Sequence, residues 1–188
     1  MKRIDTALPG VCLIEPKVFG DARGFFCETW REDRFADLGI TARFVQDNWS
    51  RSTKGVLRGM HWQIGRPQAK LVRVITGAVF DVAVDVRRGS PTFGRWVGEV
   101  LSEDNKRAIF VPEGFAHGFL VLSETCDFVY RCTDYYAPTE ERGIAWNDSG
   151  LAIAWPLLNT NPELSEKDRR FGGLNAMPIA DLPSYRAD

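Results

Sequence analysis

The segment Leu71–Arg87, LVRVITGAVFDVAVDVR, has the most regular pattern in this sequence. Over Phe80–Val86 the even positions are apolar, whereas Asp81 and Asp85 stand at odd positions. Successive side chains of a β-strand point to opposite faces of the sheet, so this period of two predicts a half-buried strand. The dipeptide Thr76-Gly77 interrupts the run and predicts a turn or bulge between two strands.

Further short β-type runs follow this segment, and turn-forming residues separate them. They are Trp96–Leu101, Arg107–Val111, Gly118–Leu122 and Phe128–Thr133. Strands at a spacing of roughly 8–12 residues are typical of an antiparallel sandwich or barrel. The sequence therefore predicts an all-β fold.

Helical signals are few. Thr29–Leu38 carries apolar residues near one face and is followed by Gly39, a residue suited to a helix C-cap. Ser165 and Asp168 form a capping box that predicts a short helix or turn. The chain shows no internal repeat or linker, so we expect one domain over residues 1–188, with a loop-like C-terminal tail from about 171 to 188.

Composition excludes several classes of protein. The 24 Lys and Arg residues balance 25 Asp and Glu residues, which argues against a nucleic-acid or anionic-membrane surface as the main partner. The four cysteines lack a C-x-x-C spacing, as expected of reduced thiols in the cytosol. The sequence contains no run of about 20 apolar residues, and Asp5 and Pro9 are among the residues that break any signal-peptide apolar region near Met1, so we expect neither a membrane span nor a signal peptide. We expect a cytoplasmic protein with no membrane partner.

Cofactor motifs are missing from the sequence. His61 and His117 are its two histidines, so a site of three imidazoles cannot be assembled. Neither the dinucleotide fingerprint nor the P-loop motif occurs. A phosphorylated ligand would therefore have to be held by side chains such as arginine.

A first cluster of polar side chains lies around His61, whose ring titrates near neutral pH. A hairpin through the predicted turn Gly65–Gln68 would bring Lys70 close to His61. Strict alternation places Arg58 and His61 on opposite faces, so they share a site only if Gly59 marks a bulge or bend. A purely structural, hydrogen-bonded histidine is the alternative at this point.

A second cluster, Phe110–Phe119, contains the pattern Pro112-x-Gly114-x-x-His117. This pattern resembles the second signature of the cupin β-barrels, in which the histidine points into the barrel. Metal-dependent cupins add an earlier His-x-His and a glutamate, and this sequence contains no His-x-His. If the cupin interpretation holds, we expect a barrel interior without metal.

A third cluster surrounds Tyr130. Phe128, Tyr130 and Cys132 share one face of a predicted strand, and we expect that face to point inward. Tyr130 is then either a buried tyrosine with a satisfied hydroxyl or a general acid opposite a base. Asp168 is similarly ambiguous: it is either only a member of its capping box or the carboxylate that orients His61.

A series of short motifs extends these clusters along the chain. They are Asp21-x-Arg23-Gly24-x-Phe26-x-Glu28, Gln46-Asp47-Asn48-x-Ser50, Gly55-Val56-Leu57-Arg58-Gly59-x-His61-x-Gln63, Lys70-Leu71-Val72, Val111-Pro112-x-Gly114-Phe115-Ala116-His117-Gly118-Phe119, Tyr130-x-x-Thr133-x-x-Tyr136, Gly143-Ile144-x-Trp146-Asn147-Asp148 and Leu164-Ser165-x-Lys167-Asp168. In this order they resemble the dTDP-4-dehydrorhamnose 3,5-epimerase family, the metal-free cupins of deoxysugar biosynthesis. Met60 and Trp62 depart mildly from the family pattern.

The resemblance implies a cupin-type antiparallel β-barrel, or jelly roll, with short helical additions. It also implies an isomerase without a cofactor. Its substrate would be dTDP-4-dehydro-6-deoxy-D-glucose, whose C4 ketone acidifies the hydrogens at C3 and C5. Inversion of both carbons would give dTDP-4-dehydro-L-rhamnose.

The resemblance also implies roles for individual residues. His61 would be the base, Asp168 its orienting carboxylate, Lys70 the cation at the C4 oxygen and Tyr130 the proton donor on the opposite face. Residues implied in substrate binding are Arg23, Phe26, Glu28, Gln46, Asn48, Arg58, Lys70, His117, Glu141 and Lys167. In the family, the segment that holds Arg23 completes the site of the neighbouring subunit, which implies a homodimer.

Three alternatives to this interpretation remain. The closest is an epimerase that inverts only C5 or only C3 of a related dTDP-4-keto-6-deoxy sugar, because such enzymes share the same site residues. The second is a metal-dependent cupin dioxygenase or isomerase. The third is a cupin that binds a nucleotide sugar without catalysis, although binding alone has no use for an inward base that faces an acid.

Overall fold

Antiparallel β-strands form most of the computed structural model, which describes residues 1–157 and 161–186. The strands are β1 (Lys2–Asp5), β2 (Cys12–Glu15), β3 (Val18–Asp21), β4 (Gly24–Cys27), β5 (Gln46–Thr53), β6 (Leu57–Gln63), β7 (Lys70–Thr76), β8 (Ala78–Asp85), β9 (Trp96–Ser102), β10 (Ala108–Val111), β11 (Phe115–Val121), β12 (Thr125–Cys132) and β13 (Glu141–Gly143). The helical additions are α1 (Glu32–Asp37) and the 3-10 turns Asp168–Arg170, Leu174–Ala176 and Ile179–Asp181. The predicted all-β fold is confirmed. None of the helices in the described ranges is long and apolar enough to cross a membrane.

Two sheets face each other across the main core. The first has the strand order β1-β2-β10-β7-β12-β5 and the second the order β13-β6-β11-β8-β9, while β3 and β4 form a separate hairpin. Side chains of both sheets meet in one apolar cluster, in which Val72 and Phe128 of the first sheet face Val79 and Phe119 of the second. The fold is thus a cupin-type antiparallel barrel whose wall is made of two sheets.

The strand β8 departs from its prediction, because both of its faces are buried. Asp81 and Asp85 are fully buried although they stand at the positions expected to face solvent. Hydrogen bonds satisfy both carboxylates: His117 donates to Asp81, and Arg87 is among the donors to Asp85. The prediction of a half-buried strand is therefore wrong, since a paired carboxylate tolerates burial that an unpaired one does not.

The C-terminal part of the chain covers the outer face of the second sheet. Leu151, Trp155 and Leu174 pack there against apolar side chains of β6, β8 and β11. The indole N–H of Trp62 donates to the carbonyl of Asp181 at 3.1 Å, which attaches the last 3-10 turn to β6. The predicted tail is thus packed on the sheet over residues 171–186, and residues 187 and 188 lie outside the described residues.

The helix α1 covers part of the outer face of the first sheet with the fully buried Phe35. It begins at Glu32, three residues later than Thr29–Leu38 predicts, because Arg31 has an extended backbone with φ −155° and ψ 126°. Leu38 is the C-cap of the helix, and Gly39 follows it with φ +79°, so the predicted left-handed residue at the helix end is confirmed.

The packing of the C-terminal segment predicts a loss of stability in Leu174→Ala. Leu174 is 5% exposed, so its truncation leaves a cavity against the second sheet. We expect the free energy of unfolding to fall by about 2–4 kcal/mol, measured by chemical denaturation. Ile179→Ala is the matched control, because Ile179 is 66% exposed. A loss in Leu174→Ala no larger than in the control would contradict the packing.

Candidate functional site

A cavity of about 690 Å³ lies between the two sheets, a size suited to a small organic ligand. Strands of both sheets and the segment 163–168 line it. Most of the residues predicted for the site meet there: Gln46, Asn48, Arg58, His61, Lys70, His117, Tyr130, Glu141, Lys167 and Asp168.

Three of the predicted residues do not reach this cavity. Arg23 lies in the turn of the β3–β4 hairpin, where its side chain is 90% exposed and pairs with Asp21. Phe26 lies on the same hairpin and is 68% exposed, and Glu28 follows the hairpin and pairs with Arg31. Within one chain, the hairpin and the cavity are therefore separate.

A bulge at Gly59 lets Arg58 and His61 line the same cavity. The pairing of β6 with β11 shifts here: His61 pairs with His117, whereas Arg58 pairs with Phe119, so β6 contains one extra residue. Gly59 has φ +124°, and a Cβ atom at this position would lie 2.5 Å from the Cα atom of the opposite strand's Gly118. Only glycine fits this backbone and this close approach.

Lys70 reaches the cavity by a different route from the predicted one. His61 is on β6 in the second sheet, whereas Lys70 begins β7 in the first sheet. The predicted hairpin between them is therefore wrong, because the chain crosses from one sheet to the other. The two side chains nevertheless line one cavity, since the two sheets face each other around it.

The imidazole of His61 is held by Asp168. Its Nε2 lies 2.7 Å from Asp168 Oδ1, which leaves Nδ1 as the nitrogen available to accept a proton. Burial raises the pKa of Asp168, but the hydrogen bond and charge of His61 outweigh it and hold that pKa below its ordinary value. The backbone N–H of Asp168 also donates to Ser165 Oγ, so Asp168 belongs to the capping box and holds His61 as well.

Glu141 lies on the other side of the His61 ring. Its Oε1 is 4.0 Å from His61 Nδ1, and its Oε2 accepts hydrogen bonds from Lys167 at 2.6 Å and from Tyr136 at 3.4 Å. Burial acts to lower the pKa of Lys167, but the hydrogen bond and charge of Glu141 raise it overall. A carboxylate with a cationic partner therefore faces the free nitrogen.

Burial shifts the pKa values of Lys70 and Tyr130 in opposite directions, and in each case it favours the uncharged form of the side chain. It lowers the pKa of Lys70, against the opposing charges of Cys132 and Glu141. It raises the pKa of Tyr130, so the phenol stays protonated at neutral pH. Both groups are thus held in an environment where charge is poorly screened, which strengthens any electrostatic contact with a ligand.

His117 and Asp81 form a second histidine–carboxylate pair, which the sequence pattern did not predict. His117 Nε2 lies 2.9 Å from both carboxylate oxygens of Asp81, which is fully buried. The alternating pattern of β8 placed Asp81 on the solvent side, and this is why it was missed. A carboxylate inside a strongly apolar strand was the signal that could have found it.

The arrangement suits proton transfer at carbon. A base, a cation and a phenol reach one cavity from the different strands β6, β7 and β12. A base takes a proton from a carbon next to a carbonyl group, a cation stabilises the resulting enolate, and an acid returns a proton from elsewhere. Deprotonation and reprotonation of such a carbon is the chemistry that these side chains support.

Comparison with known proteins agrees with this geometry. Residues 5–176 match the family model described as dTDP-4-dehydrorhamnose 3,5-epimerase. The chain is 58% identical over 171 residues to the dTDP-4-dehydrorhamnose 3,5-epimerase of Pseudomonas aeruginosa, an alignment that covers 90% of this chain and 94% of that protein. It is 56% identical over 167 residues to the enzyme of the same name from Salmonella typhimurium, with 88% and 91% covered.

A solved structure is similar over almost the entire length. It is the dTDP-6-deoxy-D-glucose-3,5-epimerase of Legionella pneumophila Philadelphia 1, in complex with dTDP-4-keto-L-rhamnose. The TM-score is 0.96 at 54% sequence identity, and the alignment covers 99% of each chain. This protein belongs to the dTDP-4-dehydrorhamnose 3,5-epimerase family.

Proposed function

We propose that this protein is a dTDP-4-dehydrorhamnose 3,5-epimerase. It inverts C3 and C5 of dTDP-4-dehydro-6-deoxy-D-glucose and yields dTDP-4-dehydro-L-rhamnose. The observation that carries the proposal is the His61–Asp168 pair, which shares one cavity with Lys70 and Tyr130. Family membership over residues 5–176 supports the same substrate class.

The first half of the reaction removes a proton. His61 Nδ1 takes the proton from the carbon next to the C4 ketone, and the carbon–hydrogen electron pair moves into an enolate whose charge lies on the C4 oxygen. Asp168 stabilises the imidazolium that forms, since its carboxylate lies 2.7 Å from Nε2. The ammonium of Lys70 stabilises the enolate oxygen, a contact that poor screening in the cavity strengthens.

The second half returns a proton from the opposite face. Tyr130 gives its phenolic proton to the carbon, and the electron pair of the enolate forms the new carbon–hydrogen bond. The raised pKa of Tyr130 keeps this proton in place until the enolate is present. His61 then releases its proton and Tyr130 regains one, so the site is ready for the second carbon.

Side chains around the cavity bind the nucleotide part of the substrate. Arg58 is kept in position by a hydrogen bond from its Nε to Ser52 Oγ at 3.1 Å, and its remaining N–H groups can fork onto phosphate oxygens. Gln46 and Asn48 line the same wall on β5, and the Gln46 amide donates to Asn48 Oδ1 at 3.0 Å. His117 completes the polar lining.

We also infer a homodimer in which each subunit completes the site of the other. Arg23, Phe26 and Glu28 lie outside their own chain's cavity, so the substrate that they contact would be the one bound in the cavity of a second copy. The hairpin also exposes large apolar side chains that a second copy would cover: Val18, Phe19, Phe25 and Phe26. We place the protein in the cytoplasm, where its four free cysteines would stay reduced.

Turnover in D₂O tests the function directly. With dTDP-4-dehydro-6-deoxy-D-glucose as the substrate, we expect deuterium to be incorporated at both C3 and C5. The incorporation is measured by NMR. Label at a single carbon would favour the epimerase that inverts one centre. Retention of full turnover in His61→Asn would contradict His61 as the base, since loss of the base should slow turnover by about 100-fold or more.

The same assay separates the base from the acid. We expect Tyr130→Phe to lose net inversion more severely than proton exchange at C5, because His61 still removes the proton when the opposite donor is gone. Exchange and inversion are measured on one sample. Equal loss of both would rule out Tyr130 as the opposite-face acid.

The lowered pKa of Lys70 predicts the alkaline side of the pH profile. Because burial favours the neutral amine, kcat/KM should begin to fall below the ordinary lysine pKa of about 10.4. Burial raises the pKa of Tyr130, so the ionisation of Tyr130 moves in the opposite direction along the pH scale. Lys70→Arg should move the fall to higher pH, and Lys70→Ala should reduce kcat more than dTDP affinity. An unmoved profile in Lys70→Arg would assign the fall to another group.

Subunit mixing tests the shared site. Arg23→Ala and His61→Asn are co-expressed with different tags, and the hybrid dimer is isolated. One of its two sites combines an intact His61 with an intact Arg23 from the other subunit, so the hybrid should recover about half of the wild-type activity per dimer. Each variant alone is the control. A hybrid no more active than the controls would contradict a shared site.

A further inference from the structure

His61 has a second neighbour in the C-terminal segment, and this neighbour is aromatic. The ring of Phe171 lies 5.6 Å from the imidazole, centroid to centroid, and the two planes meet at 70°. This is an edge-to-face contact, one of the two arrangements that aromatic pairs prefer. No role follows for Phe171 from the proposed proton transfers, because its ring carries no acid, base or hydrogen-bonding group.

Phe171 fills the space beside Gly143 that the missing side chain of this glycine leaves free on β13. Gly143 of β13 pairs with His61 in the sheet, and a Cβ atom at Gly143 would lie 2.7 Å from Cδ2 of the Phe171 ring. The backbone beside the ring is fixed as well, because Ala145 N–H donates to the carbonyl of Gly172 at 2.8 Å. The absence of a side chain at Gly143 thus lets the ring lie close against the strand next to His61.

One short turn supplies both contacts to the imidazole. Asp168 opens the 3-10 turn Asp168–Arg170, and Phe171 follows its last residue. The carboxylate holds Nε2, but a single hydrogen bond leaves the ring free to pivot about it. The edge contact with Phe171 adds a second point of support, which fixes the plane of the ring and thereby the direction of Nδ1.

We propose that Phe171 is a positioning residue for His61, which it holds in the plane that aims Nδ1 at the substrate carbon. The proposal rests on the proposed epimerase function. In this proposal the beginning of the C-terminal segment affects catalysis through His61. Phe171 itself does not contact the reacting atoms. A misplaced base costs rate because proton transfer depends steeply on distance and direction.

The first test compares Phe171→Ala with Leu174→Ala. Both truncate an apolar residue of the same segment, but Leu174 belongs to the cluster on the outer face of the second sheet. In Phe171→Ala we expect kcat to fall by about 10- to 100-fold, with dTDP affinity unchanged within about twofold. In Leu174→Ala we expect kcat within about twofold of wild type at a temperature where both variants are folded. Equal kcat losses in the two variants would overturn the proposal.

Two more variants keep the test independent of stability. Phe171→Leu retains bulk against the imidazole and should recover kcat to within about threefold of wild type. Gly143→Ala should displace the ring from the other side and lower kcat with Phe171 itself intact. The double variant Gly143→Ala/Phe171→Ala should be no slower than Phe171→Ala, because both changes act through one ring. Full activity in Gly143→Ala, or additive losses of kcat in the double variant, would contradict the claim that the space beside Gly143 positions the Phe171 ring.

A spectroscopic measurement separates this proposal from the proposed function. Wild-type turnover in D₂O is measured first, and its absence would overturn the epimerase function alone. The ¹⁵N and ¹H NMR signals of the His61 ring are then compared between variants in complex with dTDP. We expect the Nε2 proton, hydrogen-bonded to Asp168, to exchange with water about tenfold or more faster in Phe171→Ala than in Leu174→Ala. Equal exchange rates would overturn the positioning role, whether or not the protein turns over the sugar.

Discussion

The hydrogen bond between His61 and Asp168 is the contact on which the rest of the site depends. It joins a strand of the second sheet to a turn 107 residues later in the chain. Asp168 is almost fully buried, and such a carboxylate is tolerated only when its charge is paired. The imidazole of His61, the proposed base, is therefore oriented only when the C-terminal segment is packed in place, which links the packing of that segment to the proposed chemistry of the cavity.

Two facing sheets are the second constraint. His61 comes from the second sheet, whereas Lys70 and Tyr130 come from the first, so neither sheet alone carries the proposed set of catalytic side chains. The bulge at Gly59 turns Arg58 and His61 towards one cavity, and a side chain at Gly59 would collide with the opposite strand. Burial in this cavity also lowers the pKa of Lys70 and raises the pKa of Tyr130, so it favours the neutral form of both side chains.

The local sequence pattern predicted the positions of the strands well, but it did not predict which faces of a strand are buried or which strands are neighbours. The interruption at Thr76-Gly77 separates β7 from β8 as predicted, and Gly39 ends the helix region. The prediction that β8 is half-buried was wrong because its carboxylates, Asp81 and Asp85, are buried with partners of their own, His117 and Arg87. The apolar face of β8 is covered by residues far along the chain. The hairpin between His61 and Lys70 was wrong because a turn signal does not tell whether the next strand returns to the same sheet or crosses to the other.

The sequence by itself determined the all-β class and the approximate strand positions, which follow from local periodicity. It also supplied the side chains proposed for proton transfer, through the motifs that resemble the family. The family resemblance implied that Asp168 orients His61, and the structure places the two side chains 2.7 Å apart. Only the tertiary structure decided that Asp81 is the partner of His117 and that Phe171 lies against the imidazole. Each of these contacts joins residues on separate elements, and what selects them is the shared burial of groups that carry no mark of their partner in the local sequence.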